Sequence, residues 1–150
     1  SFWNRLENPA RDVRREISYA FLRALQRPHH LFISRLVTRE LDRIRNLAQR
    51  KAVRRRLEGQ PLRTITVNSR IVATAQELVR LGGWSENVIA DMLHVGYAIV
   101  GEADVLVTWD QADLARPKLR RLVAVLTRER KWRAPWVGTP VEVLQKWFGA

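Results

Sequence analysis

The stretch of sequence that decides the fold is VLVTWD at residues 105–110. Its first three residues are apolar without alternation, which is typical of a parallel strand that is covered on both faces. Apolar residues at helical spacing precede this stretch at 88–100 and follow it at 117–126. A buried strand between two helices predicts an α/β fold that is built on a parallel sheet.

The alternation of helices and strands continues to both ends of the chain. Short apolar or β-branched runs predict further strands at 31–33, 64–67 and 136–137. Helical periodicity predicts further helices, at 13–25, from 36 to about Gly59, at 69–82 and at 140–148. No repeat, low-complexity segment or linker divides the 150 residues, so we expect one domain that spans 1–150.

Positive charge is the strongest compositional feature of the chain. It has 27 Lys and Arg against 15 Asp and Glu, a formal net charge of +12. Such an excess attracts polyanions, so nucleic acid, an anionic membrane surface and an acidic protein all remain possible partners. The longest nearly apolar run, 92–101, is too short to span a bilayer. The chain has no cysteine, which excludes disulfides and thiolate metal sites, and we expect a cytoplasmic protein.

Three carboxylates occupy positions where apolar residues are the rule. Glu40 falls within the apolar stripe of its helix, Asp91 heads the buried helix, and Asp110 follows the buried strand. Each also has a plainer explanation: an ion pair with an arginine, an acid near a helix N-terminus, and a turn aspartate. Asp113 is a possible auxiliary carboxylate or a helix cap, and Thr108 a possible partner of a metal-bound water or a simple strand residue.

Convergence of these three carboxylates would require a cation to offset their mutual repulsion. Mg²⁺ or Mn²⁺ suits a set of oxygen ligands that contains no Cys and no His cluster. Together with a basic surface, such a site indicates hydrolysis of phosphodiester bonds. Glycine-rich phosphate loops and Cys/His zinc patterns are absent from the sequence.

The same residues resemble the PIN-domain family along essentially the whole chain. The resemblance is carried by ADMLHVGYA at 90–98, ADVLVTWD at 103–110, Phe32-Ile33-Ser34 followed by Val37 and Glu40, and WVGTP at 136–140. It implies a three-layer α/β/α fold with a parallel sheet and an endoribonuclease that uses Mg²⁺ or Mn²⁺. Glu40, Asp91 and Asp110 match the second, third and fourth acidic residues of the family. Small VapC-like members are toxins of toxin–antitoxin modules, which implies an antitoxin partner and a homodimer.

The chain departs from the PIN pattern at its start. The first acid of the family ends the first strand, and Ser1-Phe2-Trp3-Asn4 looks like the stretch just after it. The first strand and its acid are therefore expected upstream of this chain, and residues 1–150 alone are expected to be a poor enzyme. The alternative is a non-catalytic or degenerate PIN-like module that binds RNA or protein.

Three further features have open interpretations. The basic cluster at 50–56 could follow an RNA backbone, form a solvated face or contact an antitoxin. Trp132 could stack on a base or pack inside the fold. His94, one turn after Asp91, could contact a phosphate or pack on its helix.

Overall fold

Helices alternate with parallel strands in two parts of the chain. The computed structural model describes residues 13–25, 31–60, 62–111 and 114–149. Unit 1 comprises residues 1–65 and 140–150, and unit 2 comprises residues 66–139. Each unit holds one pair of parallel strands flanked by helices. The predicted α/β class with parallel strands is confirmed, whereas the single three-layer domain stays a prediction.

The secondary structure follows the order expected from the sequence. The elements are α1 (Val13–Ala24), β1 (Leu31–Ser34), α2 (Arg35–Asp42), α3 (Leu47–Glu58), β2 (Leu62–Ile65), α4 (Ser69–Gly82), α5 (Ile89–Val100), β3 (Val105–Val107), α6 (Pro117–Glu129), β4 (Trp136–Gly138) and α7 (Pro140–Phe148). A short 3₁₀ turn, Glu86–Val88, leads into α5. Within the described ranges, none of the helices has the length and apolar character needed to cross a membrane.

Unit 1 is built on a parallel β1–β2 pair. The register runs from Leu31 opposite Leu62 to Ser34 opposite Ile65. Helices α2 and α3 form the long connection that parallel neighbours require. The terminal helix α7 packs against α1.

The single helix predicted from 36 to about Gly59 is wrong, because the chain forms two helices there. Helix α2 ends at Asp42, and α3 begins at Leu47. The Asn46 side chain caps α3 by accepting a hydrogen bond from the Gln49 amide at 2.9 Å. An asparagine that bonds to the backbone in this way favours a helix start over a helix interior. Strand β2 is also shifted from the predicted 64–67 to Leu62–Ile65.

Unit 2 is built on a parallel β3–β4 pair and contains a well-packed apolar core. Val105 lies opposite Trp136 and Val107 opposite Gly138, and α6 is the crossover between the two strands. Helices α4, α5 and α6 bury their apolar faces around this pair. The core comprises Ala75, Leu78, Val79, Met92, Val95, Ile99, Leu114, Leu119, Val123, Leu126 and Val137. The prediction that the helix before β3 is deeply buried is confirmed.

Gly96 allows α5 to approach α4 closely. A Cβ atom at this position would lie 2.8 Å from the Ile71 carbonyl oxygen, well inside ordinary contact distance. At the end of α5, Glu102 adopts a left-handed conformation with φ 54°. The Glu102 amide donates to the Ile99 carbonyl and the Ala103 amide to the Ala98 carbonyl. This paired hydrogen bonding ends the helix sharply and turns the chain into β3.

Candidate functional site

Asp91 lies in the first turn of α5 and is half-buried. The helix continues from it into a buried run that includes Met92 and Val95. Acidic residues are common in the first turn of a helix, because the helix dipole favours negative charge there. His94 lies one turn further along α5 and is also half-buried.

Asp110 is held by hydrogen bonds of its own backbone at the end of β3. The Thr108 amide donates to the Gly138 carbonyl at 3.0 Å and extends the pairing with β4 by one residue. The Thr108 hydroxyl then accepts a hydrogen bond from the Asp110 amide at 3.0 Å. On the other side, the Asp110 carbonyl accepts from the Ala115 amide at 2.7 Å. The turn that carries this half-buried residue is therefore fixed on both sides.

The topology of unit 2 places Asp91 and Asp110 at the same end of the unit. Helix α5 and strand β3 pack together and are joined by the turn at 101–104, so they run in roughly opposite directions. Asp91 is about 15 Å from that turn at 1.5 Å per helical residue. Thr108, the last residue paired with β4, is about 13 Å from it at 3.3 Å per extended residue, and Asp110 lies in the turn that follows. Both aspartates therefore lie far from the turn, at the carboxyl end of β3. Parallel α/β proteins bind their ligands at this end of the strands.

Glu40 belongs to unit 1, where it is half-buried on α2. The Ser34 side chain caps this helix through the Val37 amide at 3.3 Å, and the neighbouring Leu41 is buried. Because Glu40 lies in one unit and the two aspartates in the other, the convergence of all three carboxylates stays a prediction. Asp113 lies outside the described residues.

The described residues of either unit contain no group of three or more His, Asp or Glu side chains that could hold a metal ion. Unit 2 instead offers two carboxylates at one end of the β3–β4 pair. The chain matches no protein-family model, no curated protein and no solved structure. The chemistry of the site therefore has to be judged from its own donors, which are carboxylate oxygens.

The positive charge is concentrated in unit 1. That unit has 17 Lys and Arg against 7 Asp and Glu, a net charge of +10. Unit 2 has 10 against 8, a net charge of +2. The division was not foreseen from the sequence, because the two ends of unit 1 are separated by 74 residues of unit 2. The two aspartates and most of the net charge thus belong to different units.

The basic cluster at 50–56 is divided between paired and exposed side chains. Arg54 donates to the Asp42 carboxylate, which raises the pKa of the guanidinium above its usual range. Arg50 donates to the Asp42 backbone carbonyl at 3.1 Å, and Arg56 donates to the Tyr19 hydroxyl at 3.2 Å. An open depression of about 480 Å³ lies at the C-terminal end of α3. It is lined by Ala52, Arg55, Arg56, Gly59 and Gln60.

Trp132 has a structural role in unit 2. Its half-buried ring packs against the apolar core, and the guanidinium carbons of Arg70 and Arg130 lie 5.2 and 5.3 Å from the ring centre. Cation–π contacts of this kind stabilise the ring where it lies. Of the two interpretations left open by the sequence, the structure favours packing over base stacking.

Proposed function

We propose that this protein is a metal-dependent endoribonuclease that hydrolyses RNA phosphodiester bonds, with Glu40, Asp91 and Asp110 as its metal ligands. The observation that carries the proposal is the placement of Asp91 and Asp110 at one end of unit 2. Carboxylate oxygens are the donors that Mg²⁺ and Mn²⁺ prefer, so the chemistry of these residues fits the ion. The net charge of +12 supports a polyanionic substrate.

The chain's own residues would position the reaction. Asp110 is fixed by the Thr108 hydroxyl, and Asp91 lies in the first turn of α5. A rigid pair of ligands loses little conformational freedom on binding a cation, which favours affinity. When bound, Mg²⁺ would supply charge stabilisation at the scissile phosphate and lower the pKa of a coordinated water.

The resemblance extends the proposal to the fold and to the biological setting. We propose a single three-layer α/β/α domain of the PIN type. The parallel β1–β2 and β3–β4 pairs support this arrangement, because its sheet is parallel. In this setting the protein would be the cytoplasmic toxin of a toxin–antitoxin module, a homodimer held inactive by an antitoxin protein.

Cleavage of single-stranded RNA by the protein tests the nuclease directly. Cleavage is expected with Mg²⁺ or Mn²⁺ and not in EDTA. Asp91→Asn and Asp110→Asn are each expected to reduce it to the level seen in EDTA, because the amide removes the anionic ligand. Asp104→Asn is the matched control, since this exposed residue directly precedes β3 at the opposite end and pairs with Arg133 at 2.7 Å. Undiminished cleavage in excess EDTA, or in the variant that combines Asp91→Asn and Asp110→Asn, would show the mechanism to be wrong.

Mn²⁺ titration tests the contribution of Glu40 separately. If all three carboxylates bind one ion, Glu40→Gln lowers Mn²⁺ affinity as Asp91→Asn does. Unchanged affinity in Glu40→Gln would remove Glu40 from the ligand set while leaving the two aspartates in place. Calorimetry on the variants gives this result without any cleavage.

The second candidate is a non-catalytic module that binds RNA or protein. It is favoured by the concentration of charge in unit 1, apart from Asp91 and Asp110. Tight RNA binding by the complete protein, without metal-dependent cleavage and without Mn²⁺ affinity, would favour this candidate over the nuclease.

A further inference from the structure

A row of arginines runs along the exposed side of α2. Arg35, Arg39 and Arg43 follow one another at intervals of four residues, which places them on one stripe of the helix. All three are exposed, whereas Leu41 on the other side is buried. The row is about 12 Å long at 1.5 Å per residue.

A second set of exposed cations lies on α3, which packs against α2. Lys51 and Arg55 are also four residues apart and exposed. The Arg54 side chain joins the two helices by its hydrogen bond to the Asp42 carboxylate. This ion pair offsets the negative charge of Asp42 on the exposed side of α2. We call Arg35, Arg39, Arg43, Lys51 and Arg55 the arginine face.

The side chains of the arginine face are exposed. Among the described residues, none of the five makes a side-chain hydrogen bond or an ion pair. By contrast, the nearby Arg54 and Arg56 are bound to Asp42 and Tyr19. Exposed cations that lack an internal partner keep their donors for a ligand, and they repel one another until an anion binds.

We infer that the arginine face binds the phosphate backbone of single-stranded RNA. The ligand's identity rests on the proposed function, since this surface would hold the substrate of the nuclease. Four of the five residues are arginines, whose planar fork donates two parallel hydrogen bonds to a phosphate. A membrane surface fits less well, because a helix that lies on a bilayer needs a free apolar side. The apolar side of α2 is turned inward, with Leu41 buried.

RNA affinity in EDTA tests the assignment without interference from cleavage. The triple variant Arg35→Gln, Arg39→Gln, Arg43→Gln is compared with the wild type by fluorescence anisotropy of a labelled single-stranded RNA. The logarithm of the association constant falls linearly with the logarithm of the salt concentration. Each lost phosphate contact makes this slope less steep by about 0.7, so the loss of three makes it less steep by about 2. The same relation predicts binding about 100-fold weaker at about 0.1 M salt. Circular dichroism verifies that the triple variant keeps its fold. No loss of helix is expected, because Gln and Arg have similar helix propensities.

A matched control removes the same charge from unit 2. Arg121→Gln, Arg128→Gln, Lys131→Gln takes away three exposed cations of that unit, none of which has a side-chain partner among the described residues. The expected result is a small change in RNA affinity for this control and a large loss of affinity for the α2 variant. Equal losses would overturn the inference, because binding would then depend on net charge rather than on this surface.

Two further outcomes separate the arginine face from the catalytic proposal. Phosphatidylglycerol vesicles that bind through the face and resist competition by excess RNA would overturn the assignment. RNA binding that depends on the face in the Asp91→Asn, Asp110→Asn variant would support it. That binding result does not depend on whether the wild type cleaves RNA. The proposal on the arginine face and the proposal of a nuclease can therefore fail separately.

Discussion

Replacing Gly96 by alanine should destabilise the protein although it improves helix propensity. The new Cβ would lie 2.8 Å from the Ile71 carbonyl oxygen, whereas ordinary contact begins at 3.4 Å. The approached atom belongs to the backbone of α4, so α5 must move by roughly half an ångström or the helices must part. Overpacking of this kind costs about 1–3 kcal/mol, and alanine returns about 1 kcal/mol of helix propensity. The free energy of unfolding should therefore fall by about 1 kcal/mol, and at most about 2.

Thermal and urea unfolding measure this loss, and Gly59→Ala is its control. A Cβ at Gly59 would meet nothing closer than 3.7 Å, and its φ of −78° suits alanine. Gly59→Ala should therefore leave stability unchanged or raise it by about 0.4–1 kcal/mol. Gly96→Ala should lower Tm by roughly 2–8 °C. A Gly96→Ala protein that is more stable than the wild type by the full gain in helix propensity, about 1 kcal/mol, would refute the close approach of α5 to α4. Since α5 also carries Asp91, Mn²⁺ affinity should fall with stability.

Two other predictions concern polar contacts within unit 2. Hydrogen bonds from Arg80 hold the pKa of Glu77 below its usual value, so the ionised carboxylate stabilises the fold above about pH 4.5, and this contribution is lost on acidification. In parallel melting curves, the Glu77→Gln variant should have a lower Tm than the wild type at neutral pH and the same Tm at about pH 3. A difference in Tm that stays constant across this range would contradict the ion pair. Thr108→Val removes the acceptor for the Asp110 amide and should weaken Mn²⁺ binding in calorimetry, whereas Thr108→Ser should retain it. Equal affinity in the two Thr108 variants would remove Thr108 from any positioning role.

Elements with strong apolar periodicity were predictable from the sequence. Helices α4, α5 and α6 and strand β3 were foreseen, because their apolar residues are closely spaced and face one local core. The end of α4 was signalled by Gly83, whose φ of 64° suits a residue without a side chain. The left-handed Glu102 and Lys131 carried no such signal. Their conformations are imposed by backbone hydrogen bonds at the ends of α5 and α6.

The candidate site was predictable in part for the same reason. The positions of Asp91 and Asp110 followed from their neighbours in the sequence, because a helix start and a strand end are local features. Lys51 and Arg55 of the arginine face belong to the basic cluster at 50–56 that the sequence showed, whereas Arg35, Arg39 and Arg43 were missed. The cations of α2 are four residues apart in the sequence, so they do not form a dense basic run as residues 50–56 do. Which of these cations is paired depends on Asp42, which lies 8 and 12 residues before its arginine partners.

The sequence by itself determined the α/β class, the order of the elements and the buried character of α5 and its surroundings. These properties depend on apolar periodicity, and the burial of apolar surface is the dominant favourable term in folding. Tertiary structure alone decided which arginines are bound to another side chain, as Arg54 is to Asp42. It also decided that the helices α4 and α5 meet at Gly96. Each of these outcomes depends on atoms brought together from separate parts of the chain, and a local pattern does not contain that information.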